Sequence, residues 1–393
     1  MQTTPILTVN SGSSSLKLGL FIERESEEHV LFDVLAEGIG KRDGKLEARN
    51  EARKLVRSEA LISKTQEQAL EQVATWLGEL QAAEPAAIGH RVVHGGPHLT
   101  THQRITPEVF DELQRSVHFA PLHIPSALRL IEEAQKIYPR VPHFACFDTA
   151  FHRTLPESAT RFALPSDLFL EGVRRYGFHG LSYESIVRQL NENLPRRVVI
   201  AHLGNGASLA AVENGLSVDT TMGLTPTGGV PMGTRSGDLD PGVLLHLMRT
   251  KQMSIDALED LLNRDSGLVG LSGNTSDMRA LQASADRGSA AASLAIEIFC
   301  RSIQKTIAAF SAVLRGLDLL VFTGGIGEHS ARVRSSACAG LDFLGIQVDQ
   351  DRNERNAAMI SAETSKCRVV VIPSEEDSQI ARHCRSLMHS RQH

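Results

Sequence analysis

The feature that most constrains the fold is an internal repeat: the pattern of the first segment recurs near the middle of the chain. Residues 8–16, TVNSGSSSL, resemble residues 201–209, AHLGNGASL. In each, an apolar strand enters a turn of glycine, serine or asparagine and continues as a second apolar strand. This repeat favours two related domains that each begin with a hairpin. Two domains also suit a length of 393 residues. Two unrelated hairpins are the alternative, because such turns are common.

The rest of the hydrophobic pattern predicts alternating strands and helices. A capping-box string at 63–66, SKTQ, predicts a helix ending near Leu80. Further helices are predicted from residue 106 and over 126–137, 243–249, 255–262, 290–314 and 378–388. Strands are predicted over 5–10, 16–22, 86–93, 141–148, 198–202, 209–213, 216–220, 319–323 and 368–372. This order indicates an α/β protein.

Composition and charge exclude several function classes. The net charge is −5 with both signs interspersed, so there is no basic stripe for nucleic acid. There is neither a basic start followed by an apolar run nor a stretch of eighteen apolar residues, which predicts a cytoplasmic protein without a membrane partner. The five cysteines have no ligand spacing, so neither a disulfide framework nor a zinc site is expected.

Three turns of small residues could hold the phosphates of a nucleotide. They lie at Ser11–Ser15, Gly204–Ser208 and Gly324–Gly327, each after an apolar strand. Small residues allow the backbone to approach closely and direct N–H groups at anionic oxygens. One such turn alone is more often an ordinary tight turn, whereas three together favour phosphate binding. Lys17 could reach a phosphate or be a solvated strand residue.

Several charged residues stand at the ends of apolar segments. Arg91 and Arg235 suit bidentate contacts with a carboxylate or phosphoryl group, although a structural ion pair is equally open for each. Asp148 could orient a nucleophile or a metal-bound water, or cap the next turn. His179 lies between Gly177 and Gly180, which predicts an exposed imidazole that could donate to a phosphoryl oxygen.

An acidic string near the C-terminus could serve a metal ion. Glu375, Glu376 and Asp377 follow a strand and a proline, so one carboxylate could act on Mg²⁺ directly or through water. The plain alternative is an acidic helix start that is stabilised by the helix dipole.

Together these motifs resemble the acetate kinase family, within the superfamily of actin, sugar kinases and heat-shock ATPases. The resemblance covers nearly the whole chain. It rests on NSGSSSLK at 10–17, GHRVVHGG at 89–96, FAPLH at 119–123, FDTAFH at 147–152, RRYGFHG at 174–180, HLGNGAS at 202–208, MGTRSGDLDP at 232–241 and FTGGIGE at 322–328.

The resemblance implies two duplicated ribonuclease H-like domains, each a mixed sheet flanked by helices, with the active site in the interdomain cleft. The N-terminal acyl and phosphate domain would comprise residues 1–149 and 378–393. The C-terminal nucleotide-binding and dimerisation domain would comprise residues 150–377. It further implies a homodimer, ATP and Mg²⁺ (or Mn²⁺), and in-line transfer from ATP to acetate without a phosphoenzyme.

The resemblance also implies roles for individual residues. Arg91 and Arg235 would contact the carboxylate and the phosphoryl group, His179 would stabilise transition-state charge, and Asp148 would position the nucleophile or the metal. Asn10 and Glu376 would place Mg²⁺, with Glu375 left open as the alternative. The acyl methyl group would contact Val93, Leu122, Phe178 and Pro226. ATP would contact Lys17, His202, Leu203, Gly204, Asn205, Gly206, Asp277, Met278, Arg279, Gly325, Ile326, Gly327, Glu328 and His329.

Two other functions are open at this point. A propionate or butyrate kinase would differ from an acetate kinase in the volume of the acyl pocket, which Val93 constrains. An actin-like ATPase acting on a protein partner would need a further partner-binding domain.

Overall fold

The computed structural model describes residues 4–12, 15–41 and 43–389, so Ser13 and Ser14 of the first predicted phosphate turn lie outside the described residues. Up to residue 147 the strands are β1 (Ile6–Ser11), β2 (Ser15–Arg24), β3 (Glu27–Glu37), β4 (Lys45–Asn50), β5 (Leu55–Ala60), β6 (Ala87–Val92), β7 (Gln103–Arg104) and β8 (His143–Phe147). The helices of this part are α1 (Gln66–Glu79), α2 (Pro107–Arg115) and α3 (Ile124–Ile137).

The remainder of the described chain is richer in helix. Its strands are β9 (Arg197–Leu203), β10 (Ala207–Glu213), β11 (Leu216–Thr220), β12 (Leu319–Thr323) and β13 (Arg368–Val371). Its helices are α4 (Glu157–Thr160), α5 (Ser166–Leu170), α6 (Gly180–Leu190), α7 (Pro241–Lys251), α8 (Ile255–Arg264), α9 (Gly267–Ser272), α10 (Met278–Asp286), α11 (Ala290–Val313), α12 (Gly324–His329), α13 (Ala331–Cys338), α14 (Gln350–Glu354) and α15 (Glu376–His389).

The chain divides into two compact units. Of the described residues, those within 1–150, 180–185 and 375–393 form unit 1, and those within 151–179 and 186–374 form unit 2. The first turns of α6 and all of α15 therefore belong to unit 1. Whether the units act as the two domains assigned from the sequence stays a prediction.

Each unit is built on a mixed sheet of the same design. In unit 1 the strand order is β5-β4-β3-β2-β1-β6-β8-β7, and in unit 2 it is β11-β10-β9-β12-β13. In unit 2, the three antiparallel strands β9, β10 and β11 are followed by two strands parallel to β9. Unit 1 contains the same arrangement in β1, β2, β3, β6 and β8. It adds β4 and β5, which continue the antiparallel run, and β7, which is antiparallel to β8. The predicted α/β class, with a mixed sheet flanked by helices in each half, is confirmed. Both predicted hairpins, β1–β2 and β9–β10, are present.

Helices cover both faces of the unit 1 sheet. On one face, α1 and α3 pack over a core that includes Leu7, Val9 and Leu18. On the other face, Ile380, Ala381 and Cys384 of α15 pack against a cluster from β1, β6 and β8. The strands therefore bury both faces, as the continuous apolar pattern predicts for the centre of such a sheet.

Unit 2 has one long helix at its centre. α11 buries Ala295, Phe299, Ile303, Ile307 and Phe310 along one side and contacts β9 and β10. The spacing of three and four residues between these side chains is the helical period that the sequence showed.

Two local predictions need correction. The capping box was assigned with Ser63 at its start, but the N-cap of α1 is Thr65, whose side chain accepts from the N–H of Gln68. The third small-residue turn is the first part of α12, because Thr323 is extended and Gly324 turns the chain at φ +77°. Among the described residues, no helix is both long and apolar enough to cross a bilayer.

Candidate functional site

The pleat of the unit 1 sheet brings three predicted site residues to one face. Alternate residues of a strand point to opposite faces. Ile6, Ala87 and Phe144 belong to the cluster under α15. Counting in steps of two places Asn10, Arg91 and Asp148 on that same face, where the parallel strands β1, β6 and β8 end. The carboxyl edge of a parallel sheet is the usual location of a ligand site.

Arg91 and Asp148 form a buried ion pair. Nε of Arg91 donates to both carboxylate oxygens of Asp148 at 3.0 and 3.1 Å, and Nη2 donates to Oδ2 at 2.6 Å. Burial opposes the charge of Arg91, but Asp148 and Glu376 outweigh this effect and raise its pKa. Burial raises the pKa of Asp148, and Arg91 opposes that change. The pair supplies a fixed charge arrangement at the end of β6 and β8.

Asn10 links this pair to the start of α15. Its Oδ1 accepts from Nη1 of Arg91 at 3.1 Å, while its Nδ2 donates to Glu376 at 3.3 Å and to Asp377 at 2.9 Å. Glu376 also lies 3.7 Å from Nη1 of Arg91. Glu375, by contrast, is exposed, and its backbone N–H donates to Ser185. The geometry therefore favours Glu376 over Glu375 at this site.

Asp377 is a further member of the cluster; the sequence placed it in the acidic string but gave it no role of its own. Its carboxylate lies 2.7 Å from Nζ of Lys17 and is buried. Asp377 raises the pKa of Lys17, although burial opposes this, and Asp33 at 3.9 Å adds to the effect. The signal in the sequence was the acidic helix start, which by itself only indicates a favourable interaction with the helix dipole.

These side chains fit a magnesium ion. Glu376 and Asp377 offer carboxylate oxygens, which are the hard ligands that Mg²⁺ takes. Asn10 contacts both carboxylates through its Nδ2 and directs its Oδ1 at Arg91. Mg²⁺ in kinases is usually bound through one or two carboxylates and the substrate phosphates, so a cage made only of protein is not required. The two carboxylates at the start of α15 meet that description.

In unit 2, His179 is buried, not exposed as the sequence predicts, and it is held in a strained backbone conformation. It adopts φ 58° and ψ 24°, a left-handed geometry that non-glycine residues rarely occupy and that is most often retained at functional sites. Its Nδ1 lies 2.8 Å from Oγ of Ser208, and its ring stacks on His202 at 4.3 Å. Ser208 thus orients the imidazole, a role that the sequence analysis did not assign.

Glycine at position 206 leaves space beside that imidazole. A Cβ on Gly206 would lie 3.2 Å from Nε2 of His179 and 3.7 Å from Nη1 of Arg235. Arg235 in turn donates to the carbonyl of Pro226 at 3.1 Å. His179, Arg235 and the turn after β9 therefore come together within unit 2. Asn205 joins this turn to the Arg235 segment, because its carbonyl accepts from Gly233 N–H at 2.9 Å.

The GGIGE segment is fixed by its own glutamate. Oε1 of Glu328 accepts from Gly324 N–H at 3.0 Å and from Ser374 N–H at 3.1 Å. Arg334, which is fully buried, donates to the carbonyls of Gly327 and Glu328 at 2.8 and 2.9 Å. Gly325 and His329 are exposed. The segment is therefore held by these hydrogen bonds directly after β12, with Gly324 and Gly327 buried.

The predicted nucleotide residues at 277–279 begin a helix. Asp277 is the N-cap of α10 and accepts from the N–H groups of Arg279 and Ala280. The Ala280 N–H lowers the pKa of Asp277. Gln282, one turn later, donates to Oγ of Ser330 at 2.7 Å, so this helix start lies near the GGIGE segment. Met278 is buried and Arg279 is exposed.

The four predicted acyl-pocket residues are divided between the units. Val93 and Leu122 belong to unit 1, whereas Phe178 and Pro226 belong to unit 2. Phe178 is buried and Leu122 is 37% exposed. Their assembly into one pocket stays a prediction. A depression of about 330 Å³ between α11 and α13, lined by Glu297, Cys300 and Arg332 among others, contains none of the predicted site residues.

Comparisons with known proteins agree with the sequence motifs. The sequence model of the acetokinase family matches residues 5–382. An acetate kinase of Methylocella silvestris is 44% identical, over 98% of each chain. Among solved structures, an acetate kinase of Porphyromonas gingivalis has 35% identity and a TM-score of 0.87, over 98% of this chain and 100% of that one. A propionate kinase of Francisella tularensis has 35% identity and a TM-score of 0.91 over the same shares.

Proposed function

This chain belongs to the acetokinase family, and we propose that it transfers the γ-phosphoryl group of ATP reversibly to acetate, giving acetyl phosphate and ADP. The observation that carries the proposal is the cluster of Arg91, Asp148, Asn10 and Glu376 at the carboxyl edge of the unit 1 sheet. It combines a fixed guanidinium with a carboxylate suited to a metal ion, as transfer between two anions requires.

In the proposed reaction, Nη1 of Arg91 contacts the acetate carboxylate. Nε and Nη2 already donate to Asp148, which holds the guanidinium in place. Acetate is ionised at neutral pH, so Asp148 need not remove a proton and acts by positioning. Positioning and electrostatic stabilisation then supply most of the catalysis.

We assign the phosphoryl group and the nucleotide to residues of unit 2. His179, oriented by Ser208 and beside Gly206, donates to an oxygen of the transferring group, and Arg235 neutralises its charge. ATP is assigned to the turn after β9, the GGIGE segment and the start of α10, with Lys17 of unit 1 at a phosphate. Direct in-line transfer needs no covalent intermediate on the enzyme.

Mg²⁺ is the metal that this site suits. Glu376 and Asp377 would hold it, Asn10 would help to place it through its contacts with both carboxylates, and the ion would neutralise charge on the phosphates of ATP. Mn²⁺ has similar ligand preferences and is expected to substitute.

Family membership also suggests an oligomeric state and a cellular location, which we give as proposals. We propose a homodimer, which the exposed apolar side chains of α7 support, because Val243, Leu245 and Met248 are at least 40% exposed. We also propose a cytoplasmic location, which five unpaired cysteines support.

A propionate kinase is the second candidate. It is favoured by the TM-score of 0.91 to the Francisella propionate kinase. The two candidates differ in the acyl group that fits beside Val93, so substrate comparison separates them.

Acyl phosphate formation, trapped with hydroxylamine, tests the proposal. Mg-ATP is supplied with acetate, propionate or butyrate, and kcat/KM is compared among the three acids. We expect the highest value for acetate and a relative gain for propionate in a Val93→Ala variant. A higher kcat/KM for propionate would favour the second candidate, and hydrolysis of ATP without acyl phosphate would refute both.

A further inference from the structure

A group of two histidines and a glutamate in unit 1 has no role in the proposed reaction. We call it the Glu184 clasp, and it comprises His102, Glu184 and His383. Nε2 of His102 lies 3.3 Å from both carboxylate oxygens of Glu184, and Nε2 of His383 lies 2.7 Å from Oε2. The two rings are 3.9 Å apart between centroids.

The clasp reaches the backbone next to Asp148. β7 has only two residues, and its pairing with β8 runs from Phe144 to Ala145. Phe147 lies beyond that ladder, and its N–H donates at 3.0 Å to Nδ1 of His102 instead of to a carbonyl of β7. A buried N–H needs an acceptor, and here a side chain supplies it.

Glu184 also belongs to the helix that holds the other side of Asp148. The N–H of Gly180, the first residue of α6, donates to the carbonyl of Asp148 at 2.8 Å. Glu184 lies four residues later on the same helix. Two hydrogen bonds therefore hold the backbone around Asp148: His102 accepts the N–H of the preceding Phe147, and Gly180 donates to the Asp148 carbonyl. Glu184 takes part in both, because it contacts His102 and lies on α6.

The hydrogen bonds of His102 define its tautomer. Nδ1 accepts the N–H of Phe147, so the ring proton is on Nε2, where the Glu184 carboxylate accepts it. A carboxylate on one ring nitrogen is the usual device for selecting a tautomer. The same pattern argues against a metal ion, although the three ligand atoms lie within 4.8 Å of one another. A histidine that binds metal through Nε2 normally donates from Nδ1, and here Nδ1 accepts.

We infer that His102 is a positioning residue: Glu184 holds its Nε2–H tautomer so that Nδ1 can fix the Phe147 N–H and, through it, the carboxylate of Asp148 against Arg91. The inference rests on the proposed function for its effect on catalysis, but not for the tautomer itself. Small displacements of a positioning group are sufficient to slow a reaction strongly.

The tautomer is tested by ¹⁵N NMR of the histidine-labelled full chain. The His102 signal is identified by its loss in a His102→Asn variant. We expect wild-type His102 to be protonated on Nε2 and unprotonated on Nδ1, and we expect Glu184→Gln to give a mixture of tautomers. Protonation on Nδ1 in the wild type would overturn the inference, whether or not the chain is a kinase. A saturable shift of this signal with Zn²⁺, reversed by EDTA, would overturn it in favour of a metal site.

Two substitutions test the effect on catalysis. His102→Asn retains an acceptor near the position of Nδ1, whereas His102→Gln extends past it toward Glu184. Both lose the ring, so they serve as matched variants with thermal midpoints as a check on folding. We expect His102→Gln to lower kcat about tenfold with an unchanged KM for ATP, and His102→Asn to lower it less. Equal losses in both variants would overturn the inference. The wild-type assay for acyl phosphate tests the proposed function separately.

Discussion

The guanidinium of Arg91 presents its Nε–Nη2 edge to Asp148 and leaves only Nη1 directed at Asn10 and Glu376. The sequence predicted an arginine suited to bidentate contact with a substrate carboxylate. In this structure the bidentate edge is already used within the protein. In the proposed reaction, Arg91 therefore offers acetate one oriented donor, Nη1, and Asp148 holds the guanidinium in that orientation.

Removal of Asp148 should cost more stability than removal of the whole ion pair. Asp148→Asn leaves the charge of Arg91 buried without its main partner, and we expect unfolding free energy to fall by about 3 kcal/mol. The Arg91→Met/Asp148→Asn double variant removes that charge and should be more stable than the single variant. Urea unfolding measures both. A double variant less stable than Asp148→Asn would contradict the prediction.

Glu376 and Glu375 provide a matched test of the metal site. Glu376→Gln should raise the Mg²⁺ concentration for half-maximal activity about tenfold, which corresponds to roughly 1.4 kcal/mol. Glu375→Gln changes the adjacent exposed carboxylate and should have little effect. Titration of activity with Mg²⁺ at fixed ATP distinguishes them, and equal shifts in the two variants would remove Glu376 from the site.

The packing of α15 depends on a glycine in β6. A Cβ on Gly89 would lie 2.5 Å from Sγ of Cys384 and 2.5 Å from Cγ2 of Ile380. We expect Gly89→Ala to destabilise unit 1 by about 2 kcal/mol because the helix must move away from the sheet. It should also weaken Mg²⁺ activation, since α15 begins with Glu376.

Gly78→Ala is the control for that substitution. Apart from the chain neighbours and the backbone of α1 itself, no described atom lies within 4 Å of a Cβ at this position, so alanine should stabilise the helix by up to about 1 kcal/mol. Thermal or urea unfolding of both variants checks the pair. Similar stability in the two variants would show that α15 is not held as closely as the structure indicates.

Glu184 should make stability depend on pH in the acid range. Burial favours the neutral acid, but hydrogen bonds from His102 and His383 outweigh it and lower the pKa of Glu184 from 4.5 to about 2. The ionised carboxylate therefore favours the folded state. This stabilisation is complete above the unfolded-state pKa and is lost as pH falls from about 4.5 to about 2, with a total of about 3 kcal/mol.

Glu184→Gln should remove that dependence. We expect its urea midpoint to change less than that of the wild type as pH is lowered from about 6 to about 3. Glu132→Gln, a change at an exposed glutamate of α3, is the control. Parallel curves for wild type and Glu184→Gln would show that the clasp does not hold an ionised carboxylate.

Much of the fold could be predicted because its signals are local. The β1–β2 and β9–β10 hairpins and α11 follow from apolar periodicity and turn residues close in sequence. β3, β4 and β5 were missed. β5 is exposed along most of its length and has no apolar alternation, so only its pairing with β4 defines it.

The site was less accessible to sequence reasoning because its contacts are distant along the chain. Asn10 meets Asp377 across 367 positions, and His102 meets Glu184 across 82. The sequence around an acidic pair at a helix start, or around a histidine in a loop, does not predict which distant residue forms its hydrogen bond. Residue chemistry suggested roles for Arg91, Asp148, His179 and Arg235 but left structural alternatives open. The family resemblance chose among them, and the roles stay predictions.

Phosphoryl transfer to acetate is tested most directly by a ³¹P NMR time course of the chain with Mg-ATP and acetate carrying ¹³C at its carboxyl carbon. We expect ADP to appear together with an acyl phosphate resonance that is coupled to the labelled carbon, because the phosphoryl group is transferred to the carboxylate. The appearance of ADP with inorganic phosphate alone, and no coupled resonance, would contradict this expectation.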